Sequence, residues 1–405
     1  MPQQKDNPFV VYGVAACLIV AAAVVGYRYL YQPKADFRAR IVGNSMAPLY
    51  MGDHHAGTCV GCGMPLRFVT TTQSFAELVN VRCWNCSAPI NTHALTHVDA
   101  ERVTVDTHAF RSRPPDYGDV VACRDPQNPG NVVIKRIVGL PSDRIRFSDG
   151  GEMLVNNQSP WRDHPPLRIC ISDDRFRNGD SSCWSNGGDA RWEQTKAGFT
   201  IDATDQSEIN WLEFCYQNTH AGTQPNVVYE ENPMNADVSR ELSPAVCVVL
   251  SGRLEAKGDG SLLVRSWEGN NAATWQYVFD IAGMEEGDSL FELEINADSI
   301  RVSTTSPRGI VREDRTDSES TKLPGEQRYA LGVRNLLATV SDLKVQIRPR
   351  IPVGYGGKRS TSTEFVLGAN EYYLLGDNTP ISIDSRHWTR LIRRQDIMGL
   401  VRKNQ

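Results

Sequence analysis

Between residues 119 and 345 the chain keeps returning to short runs of β-branched and apolar residues, each cut off by turn formers before a helix could be built from it. Runs at 119–123 and 131–135 are separated by Asp125-Pro126 and Pro129-Gly130, and those at 143–147 and 153–155 flank Asp149-Gly150-Gly151, a hairpin signature. Further runs at 245–250, 262–266, 276–281, 291–295, 299–303, 329–333 and 339–345 follow, broken by turns such as Lys257-Gly258-Asp259-Gly260. Segments this short bury their apolar side only by pairing edge to edge, so the fold class is mainly β and antiparallel, with a β-sandwich inserted over 158–365. The charge-dense stretch 308–325 reads as a solvated loop.

At 405 residues the chain is too long for one ordinary core, which suggests two or three domains. A formal net charge of −5 gives no electrostatic reason to expect nucleic acid as a partner. Residues 9–27 carry no charge and are rich in Val, Ala, Ile and Leu; at about 1.5 Å per helical residue they nearly match a bilayer core of about 30 Å. The reading is a single-pass transmembrane helix over 9–30 after a tail at 1–8. A cleaved signal peptide with Ala21-Ala22-Ala23 at its cut site is the competing reading. Arg28, Lys34, Arg38 and Arg40 follow the helix and Lys5 precedes it, so charge bias alone would put the large domain in the cytosol.

Over 54–100 the character changes. Cys59-Val60-Gly61-Cys62 and Cys83-Trp84-Asn85-Cys86 each offer two thiolates from a tight turn, and a gap of twenty residues separates them. Two such knuckles close a tetrahedral Cys₄ site, so structural zinc on Cys59, Cys62, Cys83 and Cys86 is expected, in a ribbon with little core of its own. Two disulfides are the alternative in an oxidising compartment. His54, His55, His93 and His97 read as solvated side chains, since four cysteines already fill the site. Cys170, Cys183, Cys215 and Cys247, in the sandwich, read either as buried thiols or as supplying at least one disulfide of open pairing.

The chemistry centres on three blocks. Gly43-Asn44-Ser45-Met46-Ala47-Pro48 is a polar turn after a strand-like stretch at 35–42. Lys135 lies within Val132-Val133-Ile134 and Ile137-Val138, surroundings that disfavour an ammonium. A serine hydroxyl is a weak nucleophile until its proton is removed, and a desolvated, neutral lysine can remove it. Taken alone, a lysine in a strand would more often point to solvent. The third block runs Leu375-Gly376-Asp377-Asn378-Thr379-Pro380-Ile381-Ser382-Ile383-Asp384-Ser385-Arg386.

Together these blocks resemble the bacterial type I signal peptidases, the leader peptidase family with a Ser/Lys dyad. Lys135 to Asp143 matches the family pattern Lys-Arg-x-x-Gly-Leu-Pro-x-Asp, although Ser142 stands where a glycine is usual and Leu49 where a threonine is. The resemblance implies Ser45 as nucleophile, Lys135 as base and Ser382 as a hydroxyl that hydrogen-bonds and aims the lysine amine. Asp384 and Arg386 are read as an ion pair holding the local geometry, and Gly376-Asp377-Asn378 as a tight turn beside the site. The backbone N–H of Ser45 is the expected oxyanion donor. Gly43 occupies the position from which some members add a serine hydroxyl. The resemblance further implies secretory preproteins as substrates and a catalytic domain on the extracytoplasmic face of the cell membrane, against the charge bias. The expected core is then split into 36–53, 101–157 and 366–405, interrupted by the ribbon at 54–100 and the sandwich at 158–365. The stretch 329–345 looks faintly like the closing strands of a laminin-G or lectin-type jelly roll, leaving the insert with an unknown ligand. The rival function is a membrane-tethered β-sandwich binding protein whose protease core is vestigial.

Overall fold

The computed structural model describes residues 36–403, apart from 70–80, 148–152, 159, 161–167, 178–181, 187–190, 205–207, 217–225, 231, 237–241, 268–272, 281–286, 297–298, 307–308, 317–323, 349–350 and 352–363. The expected membrane segment at 9–30, the tail before it and the turn at 149–151 lie outside the described residues. Among those described, no helix is long and apolar enough to cross a membrane, and helical structure is confined to 3₁₀ turns such as Thr92–Ala94.

Strands from three separate parts of the chain form one seven-stranded antiparallel sheet. Its order is Phe37–Arg40, Arg102–Asp106, Ile397–Lys403, Val120–Arg124, Val132–Gly139, Glu371–Leu375 and Ile392–Arg393. Successive side chains of a strand point to opposite faces, and the sequence Val120-Val121-Ala122-Cys123 supplies both. Val120 and Ala122 pack with Ile41, Met46, Val103 and Val105, whereas Val121 and Cys123 pack with Ile137, Leu374 and Trp388. A three-stranded sheet made by Arg144–Phe147, Met153–Val155 and Glu364–Val366 adjoins it, so the strand containing Phe365 pairs with the lysine block's own hairpin.

The sandwich has an eight-stranded and a five-stranded sheet. Cys247–Lys257 and Leu337–Ile347 pair at the centre of the larger one, and Arg328–Arg334 lies between Asn210–Phe214 and Ser261–Trp267 in the smaller. Alternate residues such as Val248, Leu250, Leu262, Val264, Leu331 and Val333 fill a single core between the sheets. Gly258, at φ +118, makes the turn between Cys247–Lys257 and Ser261–Trp267. The stretch 308–325, expected as a loop, instead contains the strand Gly309–Thr316, paired with Ser299–Ser306 at the outer edge of the larger sheet. Charged residues suit an edge strand as well as a loop, because they deter further pairing.

Among the described residues no disulfide ties the insert: Cys170, Cys183, Cys215 and Cys247 are free thiols. Cys183 and Cys215 are neighbours through the backbone, the Cys215 N–H donating to Cys183 O at 2.6 Å. Their sulfurs have different partners, Cys183 Sγ meeting Asn85 O at 3.1 Å and Cys215 Sγ meeting Ser185 Oγ at 3.3 Å.

The ribbon is a three-stranded sheet, Pro65–Phe68, His54–Thr58 and Thr96–Val98, with the two knuckles at one end. Its apolar side does not stand alone. Leu66, Phe68 and Trp84 pack with Ala47 and Met51 of the segment after Ser45, with Phe176 and Met234 of the insert and with Ile381 of the third block. His54 corrects the expectation of a solvated side chain: it is buried, with Nδ1 2.9 Å from Gly52 O.

Candidate active site

Lys135 lies directly opposite Val121 in the sheet, and opposed residues of an antiparallel pair share a face. That face is the apolar one carrying Ile137, Cys123 and Leu374, so strand periodicity alone drives the amine into the core. Lys135 is 4% exposed. Burial pushes its amine below the usual lysine range, and the more distant Asp384, Cys123 and Asp377 only partly offset this. Its Nζ donates to Ser45 Oγ at 2.7 Å. A neutral amine in this position can instead accept the serine proton.

Third-block residues hold the turn that carries Ser45. The Asn378 N–H donates to Ser45 O at 2.9 Å, and Asn378 Nδ2 to Asn44 O at 3.2 Å. Asn44 in turn ties to the segment just before His54–Thr58, accepting from the Gly52 N–H at 2.9 Å. Gly376 faces this turn at a distance no side chain could tolerate: a Cβ there would lie 2.2 Å from Ser382 Oγ and 2.5 Å from Ser45 O. Gly43 is different, since a Cβ on it would meet nothing within 4 Å.

Two buried ion pairs frame the site. Arg386 Nε and Nη2 donate to Asp384 Oδ1 and Oδ2 at 2.8 and 2.9 Å, and Nη2 also reaches Thr379 O at 2.8 Å. Asp384 accepts from the Gly376 N–H at 3.1 Å, which fixes the start of the tight turn. Burial alone would raise the Asp384 carboxyl, but Arg386, His387 and the Gly376 N–H outweigh it and hold the group well below the usual carboxylate range. The second pair was not read from the sequence: Arg136 Nε and Nη2 grip Asp377 at 2.8 and 2.7 Å, while Nη1 donates to Gly118 O at 2.8 Å. Its signal was the arginine beside Lys135, one residue out of phase with it and therefore on the other face of the strand.

Ser382 comes to the site, 3% exposed and beside Gly376, but its hydroxyl departs from expectation. Among the described residues Ser382 Oγ has no hydrogen-bond partner, so no bond to Lys135 Nζ is made. Hydrogen bonds of a catalytic site are often completed only when substrate is bound.

The knuckles bring Cys59, Cys62, Cys83 and Cys86 together with all four sulfurs within 4.8 Å of one another. Cys59 and Cys86 lie 3.6 Å apart and Cys62 and Cys83 3.8 Å; zinc–sulfur bonds of about 2.3 Å in a tetrahedron require about 3.8 Å. The Gly61 N–H points at Cys59 Sγ at 3.3 Å and the Asn85 N–H at Cys83 Sγ at 3.4 Å, donors that suit thiolates. Hydrogen bonding from Cys83, followed by the Met64 backbone and Asn85, pulls the Cys62 thiol below the usual thiol range. The donor set is compatible with structural zinc.

Residues 68–165 match the family model described as signal peptidase, peptidase S26. That stretch contains the lysine block and supports the signal peptidase family for it; Ser45 and the third block lie outside the matched residues. No curated protein matches the chain. Among solved structures, the chain is similar to lectin II from Ulex europaeus at 10% identity, covering 36% of this chain and 86% of that one with a TM-score of 0.23. It is also similar to a functionally unknown protein from Saccharomyces cerevisiae, at 12% identity over 42% of this chain and all of the other, with a TM-score of 0.18. A third, the GH43 protein BlXynB from Bacillus licheniformis, shares 11% identity over 62% of this chain and 60% of its own, with a TM-score of 0.21.

Proposed function

We propose that the protein is a membrane-bound serine endopeptidase of the signal peptidase I type, which removes signal peptides from secretory preproteins with a Ser45/Lys135 dyad. The observation that carries this reading is the 2.7 Å contact between Ser45 Oγ and the amine of a lysine that is 4% exposed. The peptidase S26 match over the lysine block supports the same class of chemistry.

In this reading neutral Lys135 takes the proton from Ser45 Oγ as the oxygen attacks the scissile carbonyl carbon. The Ser45 N–H stabilises the oxyanion that forms. The resulting ammonium then returns the proton to the departing amine as the peptide bond breaks. Water, deprotonated by the same lysine, releases the acyl group from Ser45. Asp384 with Arg386, and Asp377 with Arg136, keep the tight turn and the Ser45 carbonyl in register and take no part in proton transfer. Ser382 swings to the lysine amine when substrate fills the site.

Residues 9–30 are the anchor, and the catalytic domain stands on the extracytoplasmic side, where a precursor's cut site emerges from the bilayer. Cys59, Cys62, Cys83 and Cys86 hold zinc, whose chemistry is structural: it closes the ribbon that packs against Ala47 and Met51. The deciding experiment is preprotein cleavage by the purified full chain and by Ser45→Ala. Cleavage by wild type alone is expected, and near-normal cleavage by the alanine variant overturns the dyad. Protease digestion of right-side-out vesicles is expected to remove the large domain from outside, and its protection until lysis would defeat secretory processing as the role.

A further inference from the structure

The nucleophile turn is held by Asn378, but Asn378 is itself held by a residue from the sandwich insert. Asn235 Nδ2 donates to Asn378 Oδ1 at 3.0 Å, and Asn378 Nδ2 donates to Asn235 Oδ1 at 2.8 Å. The two amides form a closed, reciprocal pair, 2% and 0% exposed. The second proton of Asn378 Nδ2 goes to Asn44 O and its backbone N–H to Ser45 O. One asparagine thus fixes the carbonyls on both sides of the Ser45 Cα, and Asn235 fixes the plane of its amide. If that partner is removed, Asn378 Oδ1 is left buried without the Asn235 donor, and the amide must rotate to find another, releasing Asn44 O.

Asn235 is not a floppy contact. Its segment is pinned against the end of the ribbon strand, with the Val69 N–H donating to Met234 O at 2.7 Å and the Ala236 N–H to Val69 O at 2.9 Å. The Asn235 N–H donates to Asn232 O at 2.9 Å, closing a turn, and Met234 packs in the same cluster as Cys59, Cys62 and Cys83.

We infer that Asn235 is a positioning residue for the peptidase reaction, through which the inserted sandwich and the ribbon set the placement of Ser45. This rests on the reading of Ser45 as nucleophile.

The test compares full-length wild type, Asn235→Ala, the equal-sized Asn235→Asp, and Ser45→Ala. Acetylation of Ser45 by p-nitrophenyl acetate is followed by intact mass, beside preprotein cleavage. Both Asn235 variants are expected to reach the wild-type plateau of one acetyl group at a rate about tenfold lower, with kcat reduced and KM unchanged. Combining Asn235→Ala with Asn378→Ala is expected to add little to either single loss, since the two amides act as one unit. The inference is overturned if a folded variant acetylates at the wild-type rate. It is equally overturned if the plateau falls while the rate per labelled site stays normal, the signature of a merely structural role. Should Asn235→Ala not fold, the aspartate variant decides alone. If Ser45→Ala is still acetylated at the active site and still cleaves, the dyad itself fails; if it is inert while the Asn235 variants react normally, only the positioning role falls.

Discussion

Lys135 and Arg136 are consecutive residues of one strand, both 4% exposed, and they are buried in opposite ways. Arg136 projects from one face into Asp377 and Gly118 O and is satisfied at three nitrogens. Lys135 projects from the other face into apolar side chains, and among the described residues no carboxylate lies within ion-pair distance of it. A buried cation with a matched carboxylate is part of the scaffold, whereas one left without a counter-ion loses its proton readily and becomes available as a base. One strand therefore separates structure from chemistry by the side to which each residue points.

The sharpest way to break that contrast is to substitute both. Lys135→Met is expected to abolish cleavage, by about a thousandfold or more, while the melting temperature stays the same or rises, because a buried amine without a counter-ion has been replaced by an apolar chain of similar length. Lys135→Arg should be as inactive, since a guanidinium does not deprotonate in a protein. A Lys135→Met variant that retained activity would remove the lysine from the mechanism.

Gly376→Ala comes next. The clash with Ser45 O and Ser382 Oγ must push the turn, and a shift on the order of 1 Å at Ser45 is expected to cost about a hundredfold in kcat. Single-turnover cleavage measures it, and normal turnover would show that the turn is freer than its contacts imply.

Arg136→Met should act on the fold. Leaving Asp377 buried without its partner costs about 3–5 kcal/mol, read as a lower midpoint in denaturant titration. Part of the loss should return when Asp377→Asn is added, because the orphaned charge is then gone.

The pH profile sharpens the comparison further. Burial lowers the lysine's proton affinity, and the proposed mechanism needs the neutral amine, so cleavage should rise with pH along one limb lying below the ordinary lysine value of about 10.4. Substituting His387, the histidine nearest the third block's carboxylate, should leave that limb in place; if the limb vanished, the base would be misassigned. The smallest effect belongs to Gly43→Ser, which has open space around it and should change stability by less than about 0.5 kcal/mol.

Much of this was legible from residue order. β-Branched runs at 119–123 and 131–135, bounded by Asp125-Pro126 and Pro129-Gly130, marked the strands, and knuckle spacing marked the cysteine cluster, because both signals are local. Ser45, Lys135, Asp384 and Arg386 were singled out by the resemblance of three blocks to a family, because a lysine in a strand, taken alone, more often points to solvent. What stayed hidden depends on partners far away in the chain. Nothing near Asn235 announces a contact with Asn378, and the charges of Gly309–Thr316 read as a loop because pairing with Ser299–Ser306 is not written in that segment alone. Short strands such as Phe199–Asp202 also went unread, since few residues separate them from irregular chain. The free thiols of the insert show a related limit: spacing says how many cysteines there are, but not which way Cys183 and Cys215 face.

The order of strands in the main sheet has a consequence for biosynthesis. Ile397–Lys403 is inserted between Arg102–Asp106 and Val120–Arg124, so the sheet has an empty slot at its middle until almost all of the described chain has been made. The sandwich draws its strands from one contiguous stretch, 169–347, and can close earlier. Ser45 and Lys135, the proposed dyad, are therefore both synthesised well before the strand that completes the sheet between them. Under the proposed function, proteolytic competence would wait for Ile397–Lys403 to enter the sheet, so a partly made chain would hold no aligned dyad.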